Sequence, residues 1–391
     1  MLYAMPVLDS ADLRVLDELG EMRSELRAHL RSKPRWEGQL RRSLFAAAIQ
    51  GSNTIENITI SGSDARALVE HAPMSAEASE ETQQAVIGYR DAMTYVQQTP
   101  MMSFFDYSET LLSALHFMIT KYQPAKWPGR YRAGGIYVTS SDPLEPSYTG
   151  PDADSVPGLM GELVEWLHAG DLDAPAYARA AMAHLNLVGI HPWRDGNGRT
   201  ARALHTAVLA RMGELAPEFS SIEEWLGEHT NTVQYYEALR SVQQGSFQPD
   251  RDAHPWLKFV FTAHHRQAQR VKRRYDWTVR LWNDLARLAE ERGLPERVVS
   301  ALYAAAIGEV RRTTYQQDEG LSRDQAIRDI QAMTRAGLLT PRGNATTRVY
   351  ALDGAATEIA EAAAAAVRSP GRDPYALASD ETRPSALPRH R

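Results

Sequence analysis

Apolar residues recur at helical spacing through the first quarter of the chain. Residues 13–30 mix apolar and charged positions at a period near that of an α-helix, and a Lys-Pro-Arg sequence at 33–35 ends the run. The same spacing predicts helices over residues 37–56 and 77–96. We therefore expect residues 1–104 to form a helical N-terminal region.

The middle of the chain repeats this pattern, with one interruption typical of a β-hairpin. Aromatic and β-branched residues flank glycines within residues 127–139, which predicts a short hairpin, and the prolines that follow it predict a loop. Helical spacing continues on both sides of this segment. The predicted helices cover residues 104–122, 156–168, 174–190, 221–225 and 232–242. A mainly α fold with a single short hairpin follows for this half.

The last third of the chain changes from long helices to a mixed pattern. A long helix is predicted to end near residue 291, where a Gly-Leu-Pro sequence marks a boundary. Helices at 296–307 and 322–336 are followed by strand-like residues at 348–352, an order typical of a winged helix-turn-helix. We assign a connecting helix to residues 263–292, a winged-helix-like domain to 293–353 and a tail to 354–391, disordered from Ser369 onward.

The composition is that of an ordinary globular protein, and it excludes several classes of function. Hydrophobic residues make up 43% of the 391 residues, and the formal net charge is −6, so the total charge does not favour a nucleic-acid or membrane-surface protein. Cysteine is absent, which excludes disulfides, thiol nucleophiles and cysteine-ligated zinc. Without a signal-peptide pattern or an apolar run of about 18 residues, we expect a soluble cytoplasmic protein with no membrane contact.

Residues 191–202 concentrate polar side chains and glycines between two apolar helical runs. Gly196 and Gly198 allow close approach of the backbone and positive φ, and amides that lead into a helix N-terminus attract anions. Arg199 and Arg202 lie three positions apart, so they share one helix face and can bind the same oxygens. The segment is therefore predicted to be a phosphate site.

Three more residues of this segment add chemistry to the phosphate site. Pro192 disfavours helical geometry at His191, so the imidazole is expected to leave the helix end and to accept a proton near neutral pH. Asp195 is an oxygen ligand suited to Mg²⁺, and Asn197 can either fix the loop or donate to a phosphate oxygen. The alternative is a helix-capping loop, in which these residues serve only as turn residues and ion pairs.

The whole segment resembles the signature of the Fic family, His-Pro-Phe-x-(Asp/Glu)-Gly-Asn-Gly-Arg-x-x-Arg, with Trp193 where Phe is usual. Residues 129–141 are similar to the flap hairpin of that family, and residues 235–239 and 255–257 are similar to its later helices. The resemblance covers about residues 105–262, and it implies a Fic-type helical bundle with a short β-hairpin flap.

The resemblance implies an adenylyltransferase, which transfers AMP from ATP to a hydroxyl group of a protein. By this resemblance His191 is the base for a Ser, Thr or Tyr hydroxyl, and Asp195 binds Mg²⁺. Gly198 favours AMP transfer, because the phosphorylating branch of the family carries Lys at that position. The implied ATP-binding residues are Gly196, Asn197, Gly198, Arg199 and Arg202, with Tyr236 and Gln243 beside the adenosine.

Two further elements are carried over from the family. Ser52 and Glu56 match its inhibitory motif, (Ser/Thr)-x-x-x-Glu-(Gly/Asn), and lie one helical turn apart. In the family this Glu pairs with the second arginine of the signature, here Arg202, and occupies the γ-phosphate site; in parts of the family it is also linked to removal of AMP. The implied flap residues, which would hold the target segment, are Ile136, Tyr137, Val138, Thr139 and Ser140.

A different class of function, a DNA-binding regulator, depends on the C-terminal module. Residues 291–353 resemble the winged helix-turn-helix often appended to Fic proteins, but they hold nine Arg, no Lys and eight Asp or Glu. A strong duplex binder usually has a clear basic face, so a dimerisation or interaction module is an equal alternative. The other expected partners are a target protein, which includes the chain itself, and further copies in a homo-oligomer.

Overall fold

The computed structural model describes residues 1–74, 78–139, 146–213, 215–344, 348–368 and 371–376. In chain order the helices are α1 (Ser10–Leu30), α2 (Glu37–Ile55), α3 (Gly62–Val69), α4 (Glu80–Gln98), α5 (Glu109–Thr120), α6 (Val156–Ala169), α7 (Ala176–Ile190), α8 (Asn197–Arg211), α9 (Pro217–Ser220), α10 (Glu223–Leu226), α11 (His229–Gln243), α12 (His254–Glu291), α13 (Val298–Ile307), α14 (Arg312–Asp318), α15 (Arg323–Arg335) and α16 (Gly354–Ala366). The strands are β1 (Tyr137–Thr139), β2 (Pro146–Thr149), β3 (Leu339–Arg342) and β4 (Val349–Leu352). The mainly α fold with a short hairpin is confirmed. Among the described residues, no helix combines the length and apolar character needed to span a membrane.

Two consecutive helices, α7 and α8, form the centre of the larger core. Every residue from Tyr177 to Ile190 is buried, and so are residues 199–210 of α8. A helix without an exposed face belongs in the interior of a domain, and α4, α5, α6 and α12 pack around this pair. The loop that joins α7 to α8 is therefore fixed at both ends by buried helices.

The N-terminal helices follow the sequence predictions closely. α1 begins at a capping box, in which Asp9 accepts from the Asp12 amide at 2.9 Å and Asp12 accepts from the Asp9 amide at 2.9 Å. α2 begins at Glu37, as predicted, and ends at Ile55. The sequence pattern does not predict α3, because about two turns are too few to establish a helical period.

The first hairpin differs from the sequence prediction. β1 pairs antiparallel with β2, with Tyr137 opposite Thr149, so the second strand lies in the proline-containing stretch that the sequence assigns to a loop. The glycine-containing segment before β1 is not its partner strand. That segment turns toward the loop after α7, where the Arg132 amide donates to the Pro192 carbonyl at 2.9 Å. Pro146 is tolerated in β2 because it is the first residue of the strand.

The C-terminal region begins within a continuous helix. α12 runs from His254 to Glu291, so it crosses the boundary that the sequence places between residues 262 and 263. After it, α13, α14 and α15 precede β3 and β4, and Val310 forms an antiparallel bridge with Tyr350 beside that hairpin. The order of elements agrees with the sequence pattern, and the assignment to a winged helix stays a prediction.

Two helices of this region are not predicted from the sequence pattern. α14 lies between the predicted helices at 296–307 and 322–336, and α16 lies in the first part of the segment assigned to a tail. α16 packs along α12, so this alanine-rich helix is stabilised by tertiary contact as well as by its propensity. Of the segment expected to be disordered, residues 369–370 and 377–391 lie outside the described residues. Tyr375, by contrast, donates to Asp12 of α1 at 2.7 Å.

The two halves of α2 pack against different parts of the molecule. Leu40 belongs to the same hydrophobic cluster as Leu302 of α13, and the Gln39 amide donates to the Ser300 carbonyl at 3.1 Å. Further along the helix, Ile49 packs in the cluster that includes α4 and α8. The C-terminal end of α2 is thereby brought to the first turn of α8.

Candidate active site

The segment singled out in the sequence forms the loop between α7 and α8 and the first turn of α8. His191 adopts the left-handed conformation, with φ of 50° and ψ of 59°, and ends α7. Gly196 has φ of 74° and immediately precedes α8. The predicted departure of His191 from right-handed helical geometry is confirmed, but its left-handed conformation is not the extended one that a following proline favours.

The His191 ring is held in one tautomer. Its Nδ1 lies 3.1 Å from the Val188 carbonyl oxygen, and a carbonyl can only accept, so the proton of the neutral ring lies on Nδ1. Burial lowers the pKa of His191 below its usual value. A neutral imidazole with an unprotonated Nε2 is the form that a general base requires.

The Asn197 side chain is used to fix the loop. Its Oδ1 accepts from the Trp193 amide at 3.0 Å, and its Nδ2 donates to the Trp193 carbonyl at 2.9 Å. These two hydrogen bonds close the turn between Trp193 and Asn197. They favour loop fixation as the role of Asn197 over donation to a phosphate oxygen. Both polar atoms of this side chain therefore have partners within the loop.

The two glycines of the loop are required for different reasons. A Cβ on Gly196 would lie 2.5 Å from Thr120 Cγ2 of α5, and the residue has positive φ. A Cβ on Gly198 would lie 2.4 Å from Glu56 Oε1 and 3.3 Å from Arg202 Nη1. Gly196 therefore permits the turn, whereas Gly198 leaves room for a carboxylate beside the arginine.

The Arg199 guanidinium is buried and incompletely hydrogen-bonded. The side chain is 2% exposed, and its Nη2 donates to the Tyr122 hydroxyl at 3.4 Å. Its Nε and Nη1 have no partner among the described residues. A buried cation with free donors is costly unless an anion binds there, so the arrangement favours a phosphate ligand.

The Arg202 guanidinium, one turn later, is bound by α2. Its Nε donates to Ser52 Oγ at 2.8 Å, and its Nη2 donates to the Ser52 carbonyl at 2.9 Å and to Glu56 Oε1 at 2.8 Å. Burial alone would lower the pKa of Arg202, but the neighbouring Glu56 carboxylate and tyrosine hydroxyls outweigh it and raise the pKa. Only Nη1 has no partner in the described chain.

Asp195 presents an accessible carboxylate at the edge of the loop. Its Oδ1 accepts from the Gly196 amide at 2.7 Å, and its Oδ2 lies 3.7 Å from Lys126 Nζ. The side chain is 38% exposed. Mg²⁺ prefers one or two carboxylates together with phosphate oxygens and water, and a partly exposed carboxylate beside a buried arginine fits that requirement. Asp195 could therefore hold Mg²⁺ bound with a nucleotide.

The two residues expected beside the adenosine differ in their surroundings. The Tyr236 hydroxyl donates to the Ile55 carbonyl at 3.2 Å, which places Tyr236 next to the end of α2. Gln243 is buried two turns further along α11, and its carbonyl accepts from Arg251 and from the Ser246 amide at 3.1 Å. The described contacts therefore bring Tyr236 to the candidate site, whereas those of Gln243 involve only its backbone carbonyl.

The flap lies over the base. The Tyr148 hydroxyl donates to the Gly189 carbonyl, and the Tyr148 ring centroid is 6.2 Å from that of His191. Tyr137 in β1 is 64% exposed, Ile136 precedes it and Val138 and Thr139 complete the strand. Ser140 lies outside the described residues. The hairpin thus places Tyr148 beside His191 and leaves Tyr137 exposed.

Sequence reasoning misses two buried residues that hold the loop. Arg132 Nε donates to the His191 carbonyl at 2.9 Å, and its Nη1 donates to the Gly134 carbonyl at 2.8 Å. His116 of α5 is fully buried and contacts the carbonyl of Asp195. Both side chains bind backbone atoms, and no residue pattern in the sequence marks a contact of that kind. Arg132 does lie within the stretch that resembles the flap.

Comparison with known sequences gives a family for the middle of the chain, residues 104–209, which match the Fic/DOC family. The chain is 28% identical over 261 residues to the protein adenylyltransferase Fic of Nematostella vectensis, a match that covers 66% of this chain and 55% of that protein. It is 26% identical over 266 residues to the protein adenylyltransferase fic-1 of Caenorhabditis elegans, covering 67% and 47%. The chain thus spans about half the length of these curated relatives.

Solved structures share the fold. A Fic family protein from Desulfovibrio desulfuricans G20 has a TM-score of 0.58 at 22% identity, over 90% of this chain and 98% of that one. A fragment of Fic-1 from C. elegans has a TM-score of 0.52 at 23% identity, over 66% and 71%. At these identities the likeness establishes the helical architecture and nothing further.

Proposed function

Because residues 104–209 form a domain of the Fic/DOC family, we propose that this protein is an adenylyltransferase that moves AMP from ATP to a Ser, Thr or Tyr hydroxyl of a protein. The observation that carries the proposal is the buried Arg199 guanidinium, whose Nε and Nη1 have no partner among the described residues. It lies in the first turn of α8, beside the loop that carries the neutral His191. A phosphate chain would satisfy those donors.

In the proposed reaction His191 Nε2 accepts the proton of the target hydroxyl. The oxygen then forms a bond to the α-phosphorus, while the bond from that phosphorus to the bridging oxygen breaks and pyrophosphate leaves. Arg199 and Arg202 bind the phosphate oxygens and offset the charge that develops on the leaving group. Asp195 would hold Mg²⁺, which when bound neutralises phosphate charge. The flap orients the target segment so that its hydroxyl meets His191.

Glu56 is proposed to inhibit this reaction. Its carboxylate occupies Nη2 of Arg202 at 2.8 Å, which is the donor that a γ-phosphate needs. A hydrogen bond to a charged group contributes about 1.5–3 kcal/mol, which corresponds to about a ten- to hundredfold weakening of competent nucleotide binding. ATP must therefore compete with a carboxylate that the same chain supplies.

The acceptor is a protein hydroxyl, and the chain itself is included among the targets. The test of the reaction is incubation of the full chain with ATP labelled at the α-phosphate, beside ATP labelled at the γ-phosphate, with and without a cell lysate. Covalent label from the α position alone is expected. Label from the γ position alone would establish a kinase-like reaction instead, and label from neither would contradict the proposal.

The absence of cysteine agrees with a cytoplasmic location.

A second candidate function, a DNA-binding regulator, is favoured by the charges on α15. Asp329 is buried, and both of its oxygens accept from Arg297, at 2.7 and 2.9 Å, so this carboxylate does not reduce the charge of the outer face. The exposed residues of that face include Arg323, Arg328 and Arg335 with Asp324 as the acidic one. Such a face can contact the phosphates of a duplex.

The DNA candidate is tested by a gel shift of the full chain on duplex DNA at increasing salt. A shift at low salt that is lost in an Arg328→Ala, Arg335→Ala double variant is expected. No shift at low salt would remove DNA binding as a function and leave an interaction module.

A further inference from the structure

His116 lies behind the candidate catalytic loop and contacts its backbone. It belongs to α5, and its side chain is fully buried. The imidazole stacks on the Trp193 indole with ring centroids 4.3 Å apart and an interplanar angle of 6°. A parallel stack fixes the plane of both rings, so His116 has little freedom to rotate.

The hydrogen bonds of His116 assign its tautomer. Nε2 lies 2.8 Å from the Asp195 carbonyl oxygen, and because a carbonyl can only accept, Nε2 must carry the proton. Nδ1 accepts from the Gly129 amide at 2.8 Å, so Nδ1 must be unprotonated. Both contacts together require a neutral ring.

The two partners of His116 belong to the two elements of the proposed active site. The Asp195 carbonyl lies in the loop, directly before the left-handed Gly196. Gly129 lies in a left-handed turn, φ of 75°, that leads through Arg132 to the flap. Arg132 in turn binds the His191 carbonyl. One imidazole therefore connects the nucleotide loop to the base of the flap.

We propose that His116 is a positioning residue that sets the loop through its Nε2–H and the base of the flap through its Nδ1. The proposal rests on the proposed adenylyltransferase function and deepens it. Because the two nitrogens act on different elements, the two contacts can be removed one at a time. A histidine that served only to fill the core would not show such a separation.

Two amide variants separate the contacts. The Gln side chain places an N–H donor near the position of Nε2, and the Asn side chain places an oxygen acceptor near the position of Nδ1. His116→Gln thus retains the Asp195 contact and loses the acceptor for Gly129, whereas His116→Asn does the reverse. Each lost bond leaves a buried backbone group unsatisfied, an effect of about tenfold or more. His264→Gln, a fully buried histidine on α12, is the matched control for packing.

Both variants are made in the full chain with Glu56→Gly, and AMP incorporation into the chain is followed against MgATP concentration. We expect His116→Asn to raise the half-saturating MgATP concentration about tenfold with an unchanged maximal rate. We expect His116→Gln to lower the maximal rate about tenfold with an unchanged half-saturating concentration. If both variants change both constants equally, or behave as His264→Gln does, the positioning role is overturned.

Amide hydrogen exchange supplies a readout that does not depend on catalysis. In His116→Gln the exchange of the Gly129 amide is expected to rise about tenfold, while in His116→Asn it stays at the parent value. Equal acceleration at Gly129 in both variants would overturn the assignment. If the parent with Glu56→Gly incorporates no AMP, the adenylyltransferase proposal fails, and the exchange at Gly129 still decides what His116 does.

Discussion

The two ends of segment 191–202 are held in different ways. The loop end is fixed from within residues 104–209: Asn197 closes it on Trp193, and Arg132 and His116 bind its carbonyls. The helix end depends on α2, because the Arg202 side chain is bound by residues 146 and 150 positions away in the chain. The proposed base is therefore preorganised, whereas the proposed γ-phosphate site can be occupied by the Glu56 carboxylate or left open to ATP.

The exposure of the two charged partners indicates which of them moves. The Arg202 side chain is 1% exposed, and the Glu56 side chain is 27% exposed. Glu56 follows directly after the last residue of α2, where helix ends fray most easily. The carboxylate can turn into water at small cost, whereas the guanidinium would have to leave the core. Release of the site is therefore expected to begin with Glu56.

The largest effect is expected from the loop end. His191→Ala should lower AMP incorporation by about 10²–10⁴-fold, because it removes the proton acceptor for the target hydroxyl. The measurement is covalent label from α-labelled ATP in a Glu56→Gly background. Circular dichroism should show an unchanged helical fold. Incorporation within a few-fold of the parent would mean that His191 is not the base.

The second largest effect is an increase in AMP incorporation, and it is expected from a change at the helix end of the segment. Glu56→Gly should raise incorporation of AMP into the chain by about ten- to a hundredfold, since the Arg202 Nη2 hydrogen that Glu56 accepts then becomes available to the γ-phosphate. Glu56→Gln keeps the size of the side chain and loses its charge. AMP incorporation in Glu56→Gln should therefore lie between that of the unmodified chain and that of Glu56→Gly. Equal or lower incorporation in Glu56→Gly than in the unmodified chain would remove the proposed inhibition. Release of AMP from labelled protein, followed in the same samples, tests the reverse reaction.

A smaller activation is expected at Ser52. Ser52→Ala removes the acceptor for Arg202 Nε but keeps the Ser52 carbonyl and Glu56. One hydrogen bond to a neutral hydroxyl is lost while the carboxylate bond stays, a contribution of about 0.5–1.5 kcal/mol, so incorporation should rise by roughly threefold to tenfold. Ser43→Ala, in the same helix and away from Arg202, should leave the rate unchanged. Activation by both variants alike would indicate a general loosening of α2 instead.

The smallest effect is expected from pH. Because burial lowers the pKa of His191 and the pKa of Arg202 is raised, neither end changes charge between about pH 6.5 and 8.5. The rate at saturating MgATP should vary by no more than about twofold in that interval, and it should fall at lower pH as His191 binds a proton. A rate that climbs steadily from pH 6.5 to 8.5 would show that the ring is protonated at neutrality.

Much of this fold and site follows from local features of the sequence. Helical periodicity predicts α1, α2 and α6, because apolar spacing encodes which face of a helix is covered, and the apolar runs on both sides of segment 191–202 predict α7 and α8. Pro192 disfavours right-handed helical geometry at His191, and the spacing of Ser52 and Glu56 places them on one helix face. These effects act within a few residues, so the residue types alone carry them.

Tertiary structure decided the rest. The partner strand of β1, the continuity of α12 and the contacts of Arg132 and His116 depend on which backbone groups meet after folding, and any residue can supply a carbonyl or an amide. The separate roles of Asn197 and Arg199 emerge in the same way, since one is satisfied within the loop and the other is left with free donors. The sequence by itself determined which chemical groups lie in segment 191–202, and only packing decided which of them are already bound, because hydrogen bonds between distant segments leave no local pattern.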